Sequence, residues 1–315
     1  MKIGIGISGD LGLDPVERTV LITEAAALGY TSAWTNARGT EGIDTCEQWF
    51  AACGIAVGTN VIPTPGVDRA ALAARARALG ARSNGSFTLG IGAGGIASAA
   101  YRTTHGIPAE ATPVGVMRQH LDELRPAAGV PVYLAAMGPV MLRLAGGHFD
   151  GVLPNWMDPP HIAWARARIA EGARAAGRDP AGIEVAQYVR VAVDEDEHAA
   201  RTALATAAFG YALGRPGQAV PGSYRIHMTR MGLDADLTRL EALRAKGMSD
   251  QELADACPDA VLDRLGAHGR PARALAALRR LSEGLDLTII RVVSARPGIA
   301  SARAVVTACA PPLWT

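Results

Sequence analysis

The chain has 315 residues; 49% are hydrophobic, 19% charged and 5% aromatic, and 31 lysines and arginines balance 30 aspartates and glutamates to a net charge of +1. That apolar content excludes a disordered chain, and the charge balance excludes a basic face built for nucleic acid or for a membrane surface. The length suits two average domains or one large α/β barrel, with a core large enough to remove most of the unfolded surface from water.

Short apolar runs alternate with alanine-rich helical patterns along the whole chain. Lys2–Ile7 reads as a strand, and a helix follows over Asp14–Leu28, with Asp14 as N-cap, Pro15 at the first helical position and Gly29 as the stop. Thr31–Thr35 is a second strand, Cys46–Cys53 a short helix, and Ile55–Ile62 a third strand ended by Pro63 and Pro65. A helix over Asp68–Gly80 leads to a fourth strand at Ser86–Ile91; Val116–Arg125 is helical and Val130–Ala135 is a fifth strand. After helical Val140–Ala145 come a sixth strand at Asp150–Leu153, a long helix over Pro160–Ala176 and a seventh strand at Ile183–Val193. A helical insertion fills roughly 195–263, Pro271–Leu281 is the last crossover helix, Leu285–Val293 the eighth strand and Ser301–Cys309 a final helix.

Eight strands, each followed by helical sequence and with no linker between them, predict one (β/α)8 TIM barrel over 1–315 with a helical insertion before the last barrel unit. A doubly wound sheet shares the alternation, but the first turn, ISGDLGLDP, lacks its phosphate-binding glycine spacing. No apolar run is long enough to span a membrane, and MKIGIGISGD lacks the regions of a secretory leader. Cys46, Cys53, Cys257 and Cys309 form no Cys-x-x-Cys pair, which argues against structural zinc and for a reducing, cytoplasmic setting. The spacing of Cys46 and Cys53 predicts two buried thiols on one helix face.

A barrel of this kind works at the C-terminal ends of its strands. The residues there are Ser8 to Asp10, Asn36 and Arg38, Gly58 to Pro63, Gly90 to Gly95, Ala135 to Pro139, Pro154 to Trp156, Tyr188 and Arg190, and Arg291, Val293 and Ser294. They include no carboxylate pair suited to glycoside hydrolysis, no metal-binding histidine pattern and no Gly-x-Ser-x-Gly elbow. Lys2 and Lys246 are the only lysines, which weighs against Schiff-base chemistry. Small residues and backbone amides remain, and these suit a cofactor that carries its own chemistry and a phosphorylated tail.

Plainer roles compete with this at each position. The glycine run can be a turn, Gly138 can serve only backbone freedom, and Trp34 and Trp156 can be packing residues. Arg190 and Arg291 can pair with carboxylates; most of the seven histidines read as surface residues, and the insertion reads as a solvated helical cover.

The segments VGTNVIPTP, RAALAARARALGARSNGSFTLGIGAGG, PVYLAAMGPVMLRLAGGHFDGVLPNW and IAEGARAAGRDPAGIEV, in that order, resemble the bacterial luciferase-like superfamily, especially its branch using the deazaflavin coenzyme F-420. The resemblance implies a (β/α)8 barrel whose mouth holds the cofactor ring. Its phosphate-bearing tail would meet the backbone of Gly92, Ala93, Gly94 and Gly95 and of Ala135, Ala136, Met137 and Gly138. A bulge with a non-prolyl cis peptide, here Asn60–Val61, would support the ring. Trp34, Thr35, Asn36 and Asn155 complete the implied cofactor set, and Asn36, Tyr188 and Arg190 are the catalytic candidates. Members that oxidise a sugar phosphate carry a histidine at the position of Asn36 and a glutamate at that of Gly95, so that reaction is not expected here. They also carry a basic residue at the position of Arg190, for which an anionic substrate group and a neighbouring carboxylate are the two candidate partners.

The implied activity is hydride transfer between C5 of coenzyme F-420 and a small organic substrate such as an imine, an enone or an alcohol/ketone pair, by a homodimer. The alternatives are an FMN-dependent monooxygenase of the same superfamily and a ligand-binding barrel without catalysis.

Overall fold

The computed structural model describes residues 1–36, 39–214 and 222–314, with backbone alone at 126–128. In chain order the elements are β1 (Lys2–Gly6), α1 (Pro15–Ala27), β2 (Ser32–Thr35), α2 (Glu41–Cys53), β3 (Ala56–Thr59), β4 (Ile62–Pro63), α3 (Arg69–Arg82), β5 (Phe87–Gly92), α4 (Ala99–Thr104), α5 (Pro113–Ala128), β6 (Val132–Ala135), α6 (Pro139–His148), β7 (Gly151–Leu153) and α7 (Pro159–Ala175). There follow β8 (Glu184–Val193), α8 (Glu197–Ala212), α9 (Gly222–Arg230), α10 (Asp234–Ala245), α11 (Asp250–Ala256), α12 (Asp259–Leu265), β9 (Gly266–Gly269), α13 (Pro271–Leu281), β10 (Leu287–Val293) and α14 (Ile299–Ala308).

The strand order β10-β1-β2-β3-β5-β6-β7-β8 closes on itself where β8 pairs with β10, and every pairing is parallel. This is the (β/α)8 barrel that the alternation predicts. Local chemistry sets the element ends: Asp14 accepts from the Glu17 amide while Glu17 reaches back to the Asp14 amide, and Pro15 opens α1 as expected.

Three features differ from the sequence reading. The helix placed at Cys46–Cys53 begins earlier, at Glu41, and of its two cysteines Cys46 is buried and Cys53 is not; the half-buried Cys53 thiol donates to the Trp49 carbonyl. The interval between the fourth and fifth barrel strands contains a further short helix, α4. The insertion ends in an additional strand, β9, which pairs with β8 over Arg190–Val193, beyond the reach of β7. Its sequence, Gly-Ala-His-Gly, has none of the β-branched residues that mark a strand.

Strand alternation divides the core in two. Trp34, Tyr133, Leu153, Ala186, Tyr188, Leu287 and Ile289 fill the barrel interior, while Ile5, Val57, Leu89, Val152, Ile290 and Val292 join the helices in the larger outer core. Each interior aromatic ring stands against a strand glycine: Gly58 on the adjacent strand for Trp34, Gly151 on the adjacent strand for Tyr133, and Gly6, two strands away across β10, for Tyr188. A β-carbon at those glycines would stand 2.5–2.6 Å from the rings.

The insertion is not the solvated cover that its charge alternation suggests. Phe209, Met228, Leu237, Leu253 and Leu262 form a core of their own with Trp156 of the barrel, each contributing about 1.5–3 kcal/mol by burial. Asp158, the N-cap of α7, ties this layer to the barrel: it accepts from Arg264 Nε at 2.7 Å and lies 2.5 Å from His161 Nδ1. No helix among the described residues is long and apolar enough to cross a membrane.

Candidate active site

The inward alternation that places Trp34 and Tyr188 in the barrel interior continues to the C-terminal end of each strand. It brings Asn36, Asn60, Gly92, Ala135, Asn155, Arg190 and Arg291 to the top layer around the mouth. Arg190 and Arg291 are paired across β8 and β10, and Asn155 bridges to β8 at Tyr188. The mouth has two unlike halves.

The first half, from β3 to α6, is built of small residues. The Asn60–Val61 peptide is cis, where the resemblance places it. The turn around it is held by hydrogen bonds: the Asn60 amide donates to the Thr35 carbonyl at 2.7 Å, while Thr59 Oγ1 donates to the Gly90 carbonyl at 3.0 Å and accepts from the Gly90 amide at 2.9 Å. A β-carbon at Gly90 would lie 1.9 Å from the Thr59 carbonyl oxygen, and one at Gly92 would lie 2.9 Å from Val61 Cγ2. Gly138 is the N-cap of α6, no side chain caps that helix, and the space beside its α-carbon is open. Its φ of −94° makes no use of glycine's special freedom, so the glycine keeps the helix N-terminus bare. Such an end attracts anions.

The second half, from β7 to β10 and α8, is polar and aromatic. Arg190 is 4% exposed, its Cζ lies 3.6 Å from the centroid of the Trp156 ring and 5.1 Å from that of Tyr211, and Nη1 donates to Asn155 Oδ1 at 2.6 Å. Asn155 Nδ2 donates in turn to Tyr224 Oη. Arg190 makes no ion pair with a described carboxylate, so the structure does not supply the counter-ion allowed for in the sequence. Burial draws its pKa down, with the nearby Tyr211 phenol opposing, yet a guanidinium remains charged. Arg291 is paired: Nη2 donates to both carboxylate oxygens of Asp10, at 2.6 and 2.8 Å. Burial pushes the Asp10 pKa up, but the charge of Arg291 and its hydrogen bonds prevail and hold it below the ordinary value. A cavity of about 1210 Å³ opens over Arg190 and Arg291, with α8 as one wall.

The predicted residues differ in where the structure places them. Asn36, Asn60, Gly92, Ala135, Asn155 and Arg190 meet at the mouth. Trp34 and Thr35 are packed: Trp34 Nε1 donates to Ser32 Oγ, and the Thr35 carbonyl is taken by Asn60. Gly94 and Gly95 lie under the Tyr101 ring, which accounts for their lack of side chains. Ala93 and Met137 pack partly on the outer core and Ala136 is buried in it, leaving their backbone for ligand contact. Val61 packs partly against the barrel interior. Tyr188 is buried below Arg190, and burial raises its pKa, so the phenol stays protonated. Arg38, also read as a mouth residue, lies outside the described residues. Three histidines expected at the surface are buried: His120, His227 and His268. Tyr211 and Tyr224 were not recognised in the sequence, because nothing local tells a tyrosine on an insertion helix from packing.

Among the described residues, buried polar atoms without hydrogen-bond partners include Asn60 Nδ2, Trp156 Nε1, Tyr188 Oη, Arg291 Nη1 and Ser294 Oγ. All five can donate, and all belong to residues at or just below the mouth. Unpaired buried donors are costly, and this set suits a ligand rich in acceptors. Asn60 Nδ2, with the bare α6 terminus, fits a ring system bearing carbonyls and a phosphorylated tail, while Trp156 Nε1, Arg291 Nη1 and Ser294 Oγ lie in the arginine half.

The fold and the mouth define a parallel (β/α)8 barrel with an open ligand site at the C-terminal ends of its strands. The sequence model for luciferase-like monooxygenases matches residues 101–287, and the chain belongs to that family. It is 34% identical over 173 residues to a 5,10-methylenetetrahydromethanopterin reductase of Methanolobus tindarius, a match covering 54% of this chain and 49% of that protein. The chain thus spans about half the length of that curated relative. Among solved structures, a coenzyme F-420-dependent tetrahydromethanopterin reductase from Methanopyrus kandleri superposes with a TM-score of 0.74 at 21% identity, covering 100% of this chain and 99% of that one. An F-420-dependent secondary alcohol dehydrogenase in complex with an F-420–acetone adduct gives 0.73 at 16% identity, covering 100% and 99%. At these identities the superpositions establish the fold.

Proposed function

We propose that this protein is an oxidoreductase dependent on coenzyme F-420, acting on a small organic substrate. The observation that carries the proposal is the division of the mouth into a small-residue half with a bare helix terminus and an arginine half with an open cavity. Relatives named for F-420 support the choice of cofactor. When bound, the coenzyme supplies hydride chemistry at its ring, so the chain needs no nucleophile of its own.

The residues then have distinct tasks. Gly92, Ala135 and the Gly138 terminus would hold the ring and its tail by close backbone approach. The unpaired side-chain amide of Asn60 would be offered to an acceptor on the ring. Asn155 and Arg190 orient the substrate on the opposite side, and the aromatic walls exclude water. The Tyr188 phenol, protonated by burial, is the candidate proton source beneath the reacting centre; exposed Asn36 is placed to order solvent there. Substrate orientation and dryness account for more of the catalysis than acid–base groups do.

An FMN-dependent monooxygenase is the second reading, favoured by the family's name. Titration with oxidised F-420 and with FMN, followed by ligand fluorescence and by thermal unfolding, separates the two. Saturating F-420 is expected to raise the melting temperature, since a ligand that binds only the native state stabilises it by RT ln(1 + [L]/Kd), about 2.7 kcal/mol at 100 Kd. FMN is expected to do so only weakly. Stabilisation by FMN alone would replace the proposal with the monooxygenase reading, and no response to either would leave a barrel that binds neither.

A further inference from the structure

The cavity over the arginine half is elongated. Its α8 wall is formed by Ala199, Ala203, Thr206 and Gly210, a stripe of small residues running about 16 Å along the helix at 1.5 Å per residue. Facing it are the turn after β1 (Asp10–Gly12) and the loop after β10 (Ser294–Pro297). The charges around it are nearly all matched inside the protein. Arg244 donates to Asp250 at 2.5 Å, Arg296 to Asp194 at 2.9 Å, and Arg291 to Asp10. Among the described residues that line it, only Arg190 faces the cavity with neutral partners alone, the Asn155 amide and the Tyr211 phenol. It is 4% exposed, and its guanidinium is fixed by Trp156 and Tyr211 before any ligand arrives.

Matching the charges of the described residues one against another leaves a cavity floor with one positive charge. A desolvated cation without a counter-ion is costly, and a ligand that supplies the counter-charge recovers that cost. We infer that the substrate is an elongated organic acid with one negative charge, a carboxylate, seated on Arg190 with its chain along the small-residue stripe of α8. The Asp10–Arg291 pair sets the charge count: it neutralises the second guanidinium and so disfavours a dianion such as a phosphate monoester. This inference rests on the proposed function for the location of the reaction, but not for the binding it describes.

The test is calorimetric titration of the full chain with octanoate, octanol and octyl phosphate at mildly alkaline pH, with and without saturating F-420. Octanoate is expected to bind in both conditions, about 10- to 100-fold more tightly than octanol or octyl phosphate, the range of a charge-assisted hydrogen bond. Arg190→Met is expected to abolish that preference and Arg190→Lys to restore part of it, with F-420 binding unchanged. Asp10→Asn, which adds one positive charge to the floor, is expected to shift preference toward octyl phosphate and serves as the readout should Arg190→Met not fold. Octanoate binding that survives Arg190→Met, an unchanged preference in Asp10→Asn, or competition between octanoate and F-420 would overturn the inference. Failure of F-420 to bind while octanoate still binds would overturn only the proposed function.

Discussion

Gly90→Ala is expected to destabilise the barrel by about 1–3 kcal/mol or more, the range for a side chain forced into a filled site, and to abolish cofactor binding in whatever protein folds. A β-carbon there would stand 1.9 Å from the Thr59 carbonyl oxygen and 2.7 Å from Leu153 Cδ1. The oxygen cannot retreat alone. Thr59 is fixed to Gly90 by two hydrogen bonds, and its neighbour Asn60 is anchored to Thr35, so relief requires the end of β3 to move with the mouth residues it carries. Gly182→Ala is the control: no neighbouring atom lies within 4 Å of its β-carbon, and the change is expected to stay within about 0.5 kcal/mol. Urea unfolding gives the stabilities, and ligand fluorescence gives the cofactor binding. Wild-type affinity in Gly90→Ala would separate the β3–β5 contact from the site.

Arg264→Met is expected to cost about 2–3 kcal/mol near neutral pH, below the 3–5 typical of breaking a buried pair, because Arg264 is partly exposed and His161 remains beside the carboxylate. Burial pushes the Asp158 pKa up, but hydrogen bonds from Arg264 and His161 together outweigh it and hold the group below its ordinary value. A depressed folded-state pKa contributes stability that is complete above the unfolded carboxylate value and is lost as pH falls through the folded one. Without Arg264 burial dominates and the folded pKa rises. The stability gap between wild type and Arg264→Met therefore narrows on acidification through the carboxylate range. Unfolding measured across that range checks the sign, and a gap independent of pH would show that Asp158 is not what Arg264 holds. Since Asp158 joins α7 to α12, the same variant should loosen the insertion first, visible as faster amide exchange there.

Periodicity made the barrel legible because each strand is a compact apolar run and each helix carries its own stops. The mouth residues of β2, β3, β5, β6, β7 and β8 could be found by counting two positions past the buried ones. What escaped was non-local. Gly-Ala-His-Gly becomes a strand only because β8 extends beyond β7 and leaves an edge to be paired. Tyr211 and Tyr224 reach Arg190 only because α8 and α9 fold across the mouth. Trp34 and Gly94, read as cofactor contacts from the sequence, have a local packing role: the indole is bonded to Ser32, and the glycine makes room for Tyr101. Strand counting locates a residue without saying which neighbours have already claimed it.

The central claim is that the two halves of the mouth divide the work, small residues receiving the electron carrier and arginines the substrate. A crystal structure of the protein with coenzyme F-420 tests it most directly. The claim predicts electron density for the ring against Asn60, Gly92 and Ala135, with the phosphorylated tail running to the Gly138 end of α6. Density for the ring in the cavity along α8, with its tail on Arg190, would contradict it.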